Sequence, residues 1–270
     1  MKKILYSILG TCLFFISGCI FPGDETIIID GGDATSKSNL TKRVALICSL
    51  TKVDPKAYSG WDGDCPGTDV DANVFADFCK KNGIPYIKLE NKECTAKNIT
   101  DNWKKCISSL DPDDGLFIFF YSGHGGQQYS TDPSEEDHMD ETLCFWDGEF
   151  IDDKVWALIN LQPKTTRMFM VTDCCNSQSN YRLPFNLGKS KRKPRGKEPN
   201  MIHFGGCEDG ESSYGSERGG EFTRALKAVY STDLTYKQWF EKAKARVPKN
   251  MQVPTYAETG KSFNNVKIFK

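Results

Sequence analysis

The sequence predicts an α/β fold built on a mostly parallel central sheet with helices on both faces. Short apolar runs bounded by turn residues alternate with stretches whose apolar residues recur at helical spacing. Two of those runs also break into small or polar residues that carry a reactive side chain. Residues 115–121 lead to His124, and residues 166–172 lead to Cys175. Ligand sites in parallel α/β sheets lie beyond the carboxyl ends of the strands, and both residues fall there.

Taken in order, 43–50 is a continuous apolar run and predicts a buried strand. Val70, Val74, Phe75 and Phe78 set a helix over 69–82 that stops at Gly83. A strand at 84–89 and a helix at 95–110 follow, with Thr95 placed to cap the helix. The third strand is 115–121. Residues 141–150 read as a hairpin turning at Asp147-Gly148, 152–161 as a third helix and 166–172 as a fourth strand. The pattern breaks at 178–199, where Lys189, Lys191, Arg192, Lys193, Arg195 and Lys197 are mixed with Gly and Pro, and an exposed basic loop is expected. A strand resumes at 201–204, helices are predicted at 223–230 and 236–246, and 266–269 is a candidate last strand. One domain over 43–270 accounts for all of these elements.

The first residues stand apart from the fold. Lys2 and Lys3 precede an apolar stretch, 4–17, too short to span a bilayer. It ends in Ile16-Ser17-Gly18-Cys19, which resembles the cleavage box of bacterial lipoproteins. The resemblance implies a signal peptide at 1–18 and acylation (palmitate among the chains) of Cys19. Several acyl chains anchor stably where one is marginal. Ile20 and Phe21 in place of an acid point to the outer membrane of a bacterial envelope. Residues 19–42 read as a polar tether, with 26–30 a candidate short strand. A formal net charge of −1 gives no reason to expect nucleic acid as a partner, and a monomer is expected.

Eleven cysteines become nine once Cys12 and Cys19 are set aside. An odd number in an exported chain implies at least one free thiol, as a nucleophile requires. Cys174 and Cys175 are adjacent, so only one can face a cleft, and spacing does not choose between them. His124 sits in Ser122-Gly123-His124-Gly125, where the glycines admit close backbone approach and the Gly125 N–H can serve an oxyanion. A thiol and an imidazole at neighbouring strand ends suit a cysteine hydrolase. A structural metal site drawn from Cys174, Cys175, Cys207 and His203 lacks zinc-knuckle spacing.

Ser122-Gly123-His124-Gly125 and Asp173-Cys174-Cys175 together resemble the metacaspase branch of the caspase-like peptidases, in a bacterial form. His and Cys are about 50 residues apart, as in caspases. Further matches run from Tyr58, Gly60, Trp61 and Gly63 through Asp71-Ala72, Asp140-Glu141-Thr142 and Ile151-Asp152-Asp153 to Gly206-Cys207, Gly219 to Thr223, and Gln252-Val253-Pro254. The resemblance implies a caspase-like fold and a Cys175–His124 dyad, with the N–H groups of Gly125 and Cys175 as oxyanion donors. It also implies that Asp71 and Asp173 line the pocket for the residue preceding the scissile bond, with Asp69 as a rival to Asp71. Paired buried carboxylates select a guanidinium or ammonium, so protein or peptide substrates cut after Arg or Lys are expected. Asp140, Asp152 and Asp153 match calcium positions of some metacaspases. The acid those enzymes carry shortly after the nucleophile is missing here, and Asp152-Asp153 also suits a helix N-terminus. No organic cofactor is required for the chemistry, and calcium is a candidate.

Asn176-Ser177-Gln178 departs from the family's usual His-Ser-Gly, which bears on the reactivity of the thiol. The basic loop reads as a solvated insert, a self-cleavage site or a polyanion patch. The alternative function is a catalytically inactive caspase-like lipoprotein that serves as a binding or scaffold module.

Overall fold

The computed structural model describes residues 40–131, 138–181 and 198–270. The expected signal peptide, Cys19, the candidate strand at 26–30 and the six cations of the basic loop lie outside the described residues.

The central sheet has six strands. β1 (Arg43–Ser49), β2 (Tyr86–Glu90), β3 (Leu116–Ser122), β7 (Arg167–Asp173), β8 (Asn200–Gly205) and β11 (Thr255–Thr259) assemble in the order β11-β8-β7-β3-β1-β2. All neighbours are parallel except β11, which runs antiparallel to β8 along one edge. Between β3 and β7 the chain makes a second sheet from β4 (Gly125–Tyr129), β5 (Met139–Phe145) and β6 (Gly148–Ile151). A small ribbon, β9 (Gly215–Ser216) with β10 (Gly219–Gly220), precedes the last two helices.

The inner strands β1, β3 and β7 are apolar because each feeds two cores. Leu116, Ile118 and Phe120 of β3 pack on one face, and Phe117, Phe119 and Tyr121 on the other, as a period of two requires. The first face is covered by α1 (Thr68–Asn82), α4 (Glu221–Ala228) and α5 (Tyr236–Lys244), through Phe75, Phe78, Phe222 and Trp239. The second is covered by α2 (Ala96–Ser109) and α3 (Asp152–Ile159), through Ile99, Trp103, Val155 and Ile159. Thr95 caps α2 by accepting the Asn98 N–H, and Gly83 ends α1 in the left-handed conformation that favours glycine.

Two expectations are corrected, and one strand was not foreseen. Residues 266–269 bury Ile268 and Phe269 but form no strand; the last strand is β11, ten residues earlier in the chain. β4 follows His124 immediately in a Gly- and Gln-rich run with no strand signature, held by antiparallel pairing to β5. The helix expected at 223–230 begins at Glu221.

From β1 the chain moves outward to β2 and then returns to β3 on the other side of β1. That reversal is the switch point of the sheet, where the loops after β1 and β3 diverge and leave a crevice.

Candidate active site

Equal register brings the two reactive residues to neighbouring strand ends. Ser122 of β3 pairs with Asp173 of β7. Each chain then runs two residues past the sheet, to His124 on one side and Cys175 on the other. The contact behind them is tight: a Cβ on Gly125 would come within 2.0 Å of the Cys175 carbonyl oxygen, so only glycine lets the His124 loop lie on the thiol-bearing turn. The Cys144 N–H bonds to the His124 carbonyl at 3.1 Å, which makes Gly125 and Leu143 a non-hydrogen-bonded pair and leaves the Gly125 N–H outside the ladder.

The adjacent cysteines separate cleanly. Cys174 is buried, receives the Asn180 amide at 3.3 Å, and has its thiol pushed well up by burial. Cys175 is half-buried. Asn176 follows with φ 49°, a left-handed conformation in which Asn is among the favoured residues. Its Oδ1 accepts the Gly210 N–H at 2.9 Å, so Asn176 ties the Cys175 turn to the loop after β8.

His124 is half-buried, and its Nε2 is occluded without a hydrogen-bond partner. Burial lowers its basicity, while the neighbouring backbone of Asp64 and Gly63 pulls the other way. An imidazole held below its ordinary value is neutral at pH 7 and able to accept a proton.

Beside His124 is a pocket lined by Cys65, Thr68, Asp71, Ser122, Asp173 and Tyr214, among others. Asp71 and Asp173 are both buried, whereas Asp69 is exposed and does not cap α1, whose N-cap is Gly67. Asp71 accepts the Ser122 hydroxyl at 2.9 Å and the Gly220 N–H at 3.0 Å. Asp173 accepts the Ser213 hydroxyl at 2.7 Å, and the N–H and hydroxyl of Thr223 at 2.9 and 2.7 Å. Burial nevertheless raises both carboxyls; for Asp71 the charge of Asp173 adds to it, and the hydrogen bonds only partly oppose the shift.

The residues that hold this pocket carry little signal of their own in the sequence. Ser122, Thr223 and Gln252 lie in the segments that carry the resemblance, but their part in the pocket, like that of Ser213, shows only once the fold converges them. Gln252 is buried; its amide donates to the Gly206 carbonyl at 2.7 Å and to Ser213 at 3.1 Å, and its Oε1 accepts the Tyr214 N–H at 2.8 Å. It therefore sets the pocket wall.

Among the described residues no group of three or more His, Cys, Asp or Glu side chains is arranged to hold a metal ion. Asp140 is half-buried on β5, and Asp152 opens α3 and accepts the Asp153 N–H at 2.8 Å. Cys174, Cys175, Cys207 and His203 make no metal centre either. Cys207 Sγ donates to the Cys174 carbonyl at 3.3 Å, and His203 Nε2 lies 2.8 Å from the Thr172 hydroxyl. All nine described cysteines are free.

The caspase domain family, peptidase C14, matches residues 42–263. The chain belongs to that family. This caspase domain is 35% identical over 119 residues to metacaspase-1 of Schizosaccharomyces pombe, covering 42% of this chain and 27% of the relative. It is 28% identical over 175 residues to metacaspase-1 of Mycosarcoma maydis, covering 60% and 41%. The chain thus spans well under half the length of these curated relatives. A Geobacter sulfurreducens protein of known crystal structure aligns with TM-score 0.72 and 26% identity, covering 85% of this chain and 99% of that one. Caspase-1 from Spodoptera frugiperda aligns with TM-score 0.56 at 16% identity, covering 86% and 93%, a likeness of fold.

Proposed function

We propose that this caspase domain is a cysteine endopeptidase that cleaves protein or peptide bonds after Arg or Lys. The observation that carries the specificity is the pair of buried carboxylates, Asp71 and Asp173, in the pocket two residues before Cys175. A guanidinium or ammonium there replaces the mutual repulsion of the carboxylates with attraction.

In the proposed reaction the Cys175 thiol gives its proton to His124, and the sulfur attacks the substrate carbonyl carbon. The N–H groups of Gly125 and Cys175 hold the oxyanion. As it collapses, the C–N bond breaks and His124 returns the proton to the leaving amine. Water, deprotonated by His124, then attacks the thioester, releasing the acid and restoring the thiol. Because Nε2 is occluded, we assign this proton traffic to Nδ1.

The lipid anchor at Cys19, its outer-membrane placement, the monomeric state and self-processing among the lysines and arginines of the basic loop belong to the same proposal. They rest on the sequence. The test is a fluorogenic assay with Arg, Lys and Asp substrates, with and without calcium. Turnover of the basic substrates by the wild type and none by Cys175→Ala is expected. Preference for Asp, or equal activity in the variant, would overturn the reading, and inactivity on every substrate would favour the scaffold alternative.

A further inference from the structure

Trp61 is 46% exposed, a large apolar surface left uncovered beside the reactive imidazole. Its ring centroid is 4.7 Å from that of His124, with the planes tilted by 56°. The loop that presents it is tightly built. Val53 N–H bonds to the Asp62 carbonyl at 2.9 Å, Gly60 N–H to the Pro55 carbonyl at 2.7 Å, and Trp61 N–H to the Tyr58 carbonyl at 3.0 Å. Ser59, Gly60 and Gly63 all have positive φ, so the loop follows a path that most sequences resist. Tyr58 supports the indole edge-on at 5.7 Å and is itself pinned by its hydroxyl to the Phe145 carbonyl at 2.7 Å. A flexible surface tryptophan has no such scaffold.

The position of this shelf follows from the chemistry. The general acid must touch the leaving nitrogen, and the α-carbon of the residue after the cut is bonded to that nitrogen. Trp61 packs on the imidazole and is absent from the lining of the carboxylate pocket, where Tyr214 supplies the half-exposed aromatic ring. The indole therefore belongs to the leaving-group side of the scissile bond. Asp62 and Asp64 flank it on the exposed rim and are paired with Lys52, at 3.2 and 4.0 Å, so this rim carries no unbalanced pair of acids.

Building on the proposed peptidase activity, we propose that Trp61 is a specificity-determining residue that contacts the side chain following the scissile bond and selects bulky apolar residues there. A site wall of this kind discriminates by burial of apolar surface, for which factors of about ten are ordinary.

The test uses internally quenched peptides identical except for the residue after Arg: Phe, Leu, Gly or Asp. The wild type is expected to cleave the Phe and Leu peptides with kcat/KM about tenfold above Gly, and Asp no better than Gly. Trp61→Ala is expected to bring Phe, Leu and Gly within about twofold of one another, and Trp61→Phe to keep part of the preference. Disturbed positioning of His124 alone would lower all peptides together and leave the ratios intact, so unchanged ratios in both variants overturn the inference. If Trp61→Ala does not fold, the ratio in Trp61→Phe decides. A wild type that cuts after Arg without regard to the next residue overturns this inference alone. A wild type that cuts none of the basic peptides overturns the underlying activity instead.

Discussion

Thr223 donates both its backbone N–H, at 2.9 Å, and its hydroxyl, at 2.7 Å, to one oxygen of Asp173. These bonds oppose the burial that pushes the carboxyl toward its neutral form. Thr223→Val removes one donor at nearly constant shape. A hydrogen bond to a charged group contributes about 1.5–3 kcal/mol, so KM for an Arg substrate at neutral pH is expected to rise roughly tenfold or more. Kinetics as a function of pH check it, with the defect shrinking as pH rises and restores the carboxylate. An unchanged KM would mean that Asp173 does not read the substrate.

The paired carboxyls also set a pH dependence. Both values are raised on folding, so their contribution to stability is present at low pH and is lost as pH climbs through the folded values. Asp71→Asn should therefore raise Tm at neutral pH, with the gain shrinking toward pH ~4, where the unfolded carboxyl also protonates. Benzamidine, a cation that fits ionised carboxylates, should raise the wild-type Tm more at pH 7.5 than at pH 5. A thermal-shift series over pH measures both, and a benzamidine shift independent of pH would exclude the pair as its site.

The two adjacent cysteines should part company under mutation. Cys175→Ala should abolish turnover with little change in stability, since the residue is only half-buried. Cys174→Ala should keep turnover yet cost about 1–2 kcal/mol, because it empties buried space and removes the acceptor of the Asn180 amide. Urea melts and active-site titration with an alkylating agent distinguish these outcomes.

Gly125→Ala should inactivate without unfolding. The added carbon would overlap the Cys175 carbonyl oxygen at 2.0 Å, so the His124 loop and the nucleophile turn must separate. Loss of at least a hundredfold in kcat/KM is expected, since misplacement by about 1 Å costs rate on this scale. Retained activity would show that the approach of the two turns is not required.

Asn176 tests whether departure from the family pattern weakens the thiol or merely shapes its turn. Asn176→Gly satisfies the left-handed backbone and should stay active, although it loses the bond from Gly210. Asn176→Val combines backbone strain of about 1–2 kcal/mol with that loss and should lower both stability and rate. Equal effects of Gly and Val would point to side-chain chemistry instead.

The central sheet and its helices were legible because apolar runs and helical spacing are local signals. Thr95 and Gly83 announced their caps in the same way. β4 was not legible, because Gly125-Gly126-Gln127-Gln128 has no alternation and exists as a strand only through β5. The run at 266–269 misled for the opposite reason: burial of Ile268 and Phe269 needs no ladder. Asp69 and Asp71 sit two residues apart on one helix, so they point in widely different directions, and only the fold tells which enters the pocket. Ser213, Thr223 and Gln252 reach Asp173 or its wall across long sequence separations, a convergence that spacing does not encode.

β7 and β8 lie side by side and bond from Arg167 with Asn200 to Thr172 with Gly205, although the basic loop intervenes between them in the chain. A single cut in that loop would create two polypeptides without creating two bodies. Their shared edge lies in the middle of the sheet, and each half alone would expose an apolar strand edge to water. Such a nicked molecule would run as two bands in detergent and as one particle in native buffer, and only denaturation would reveal that its covalent continuity was gone.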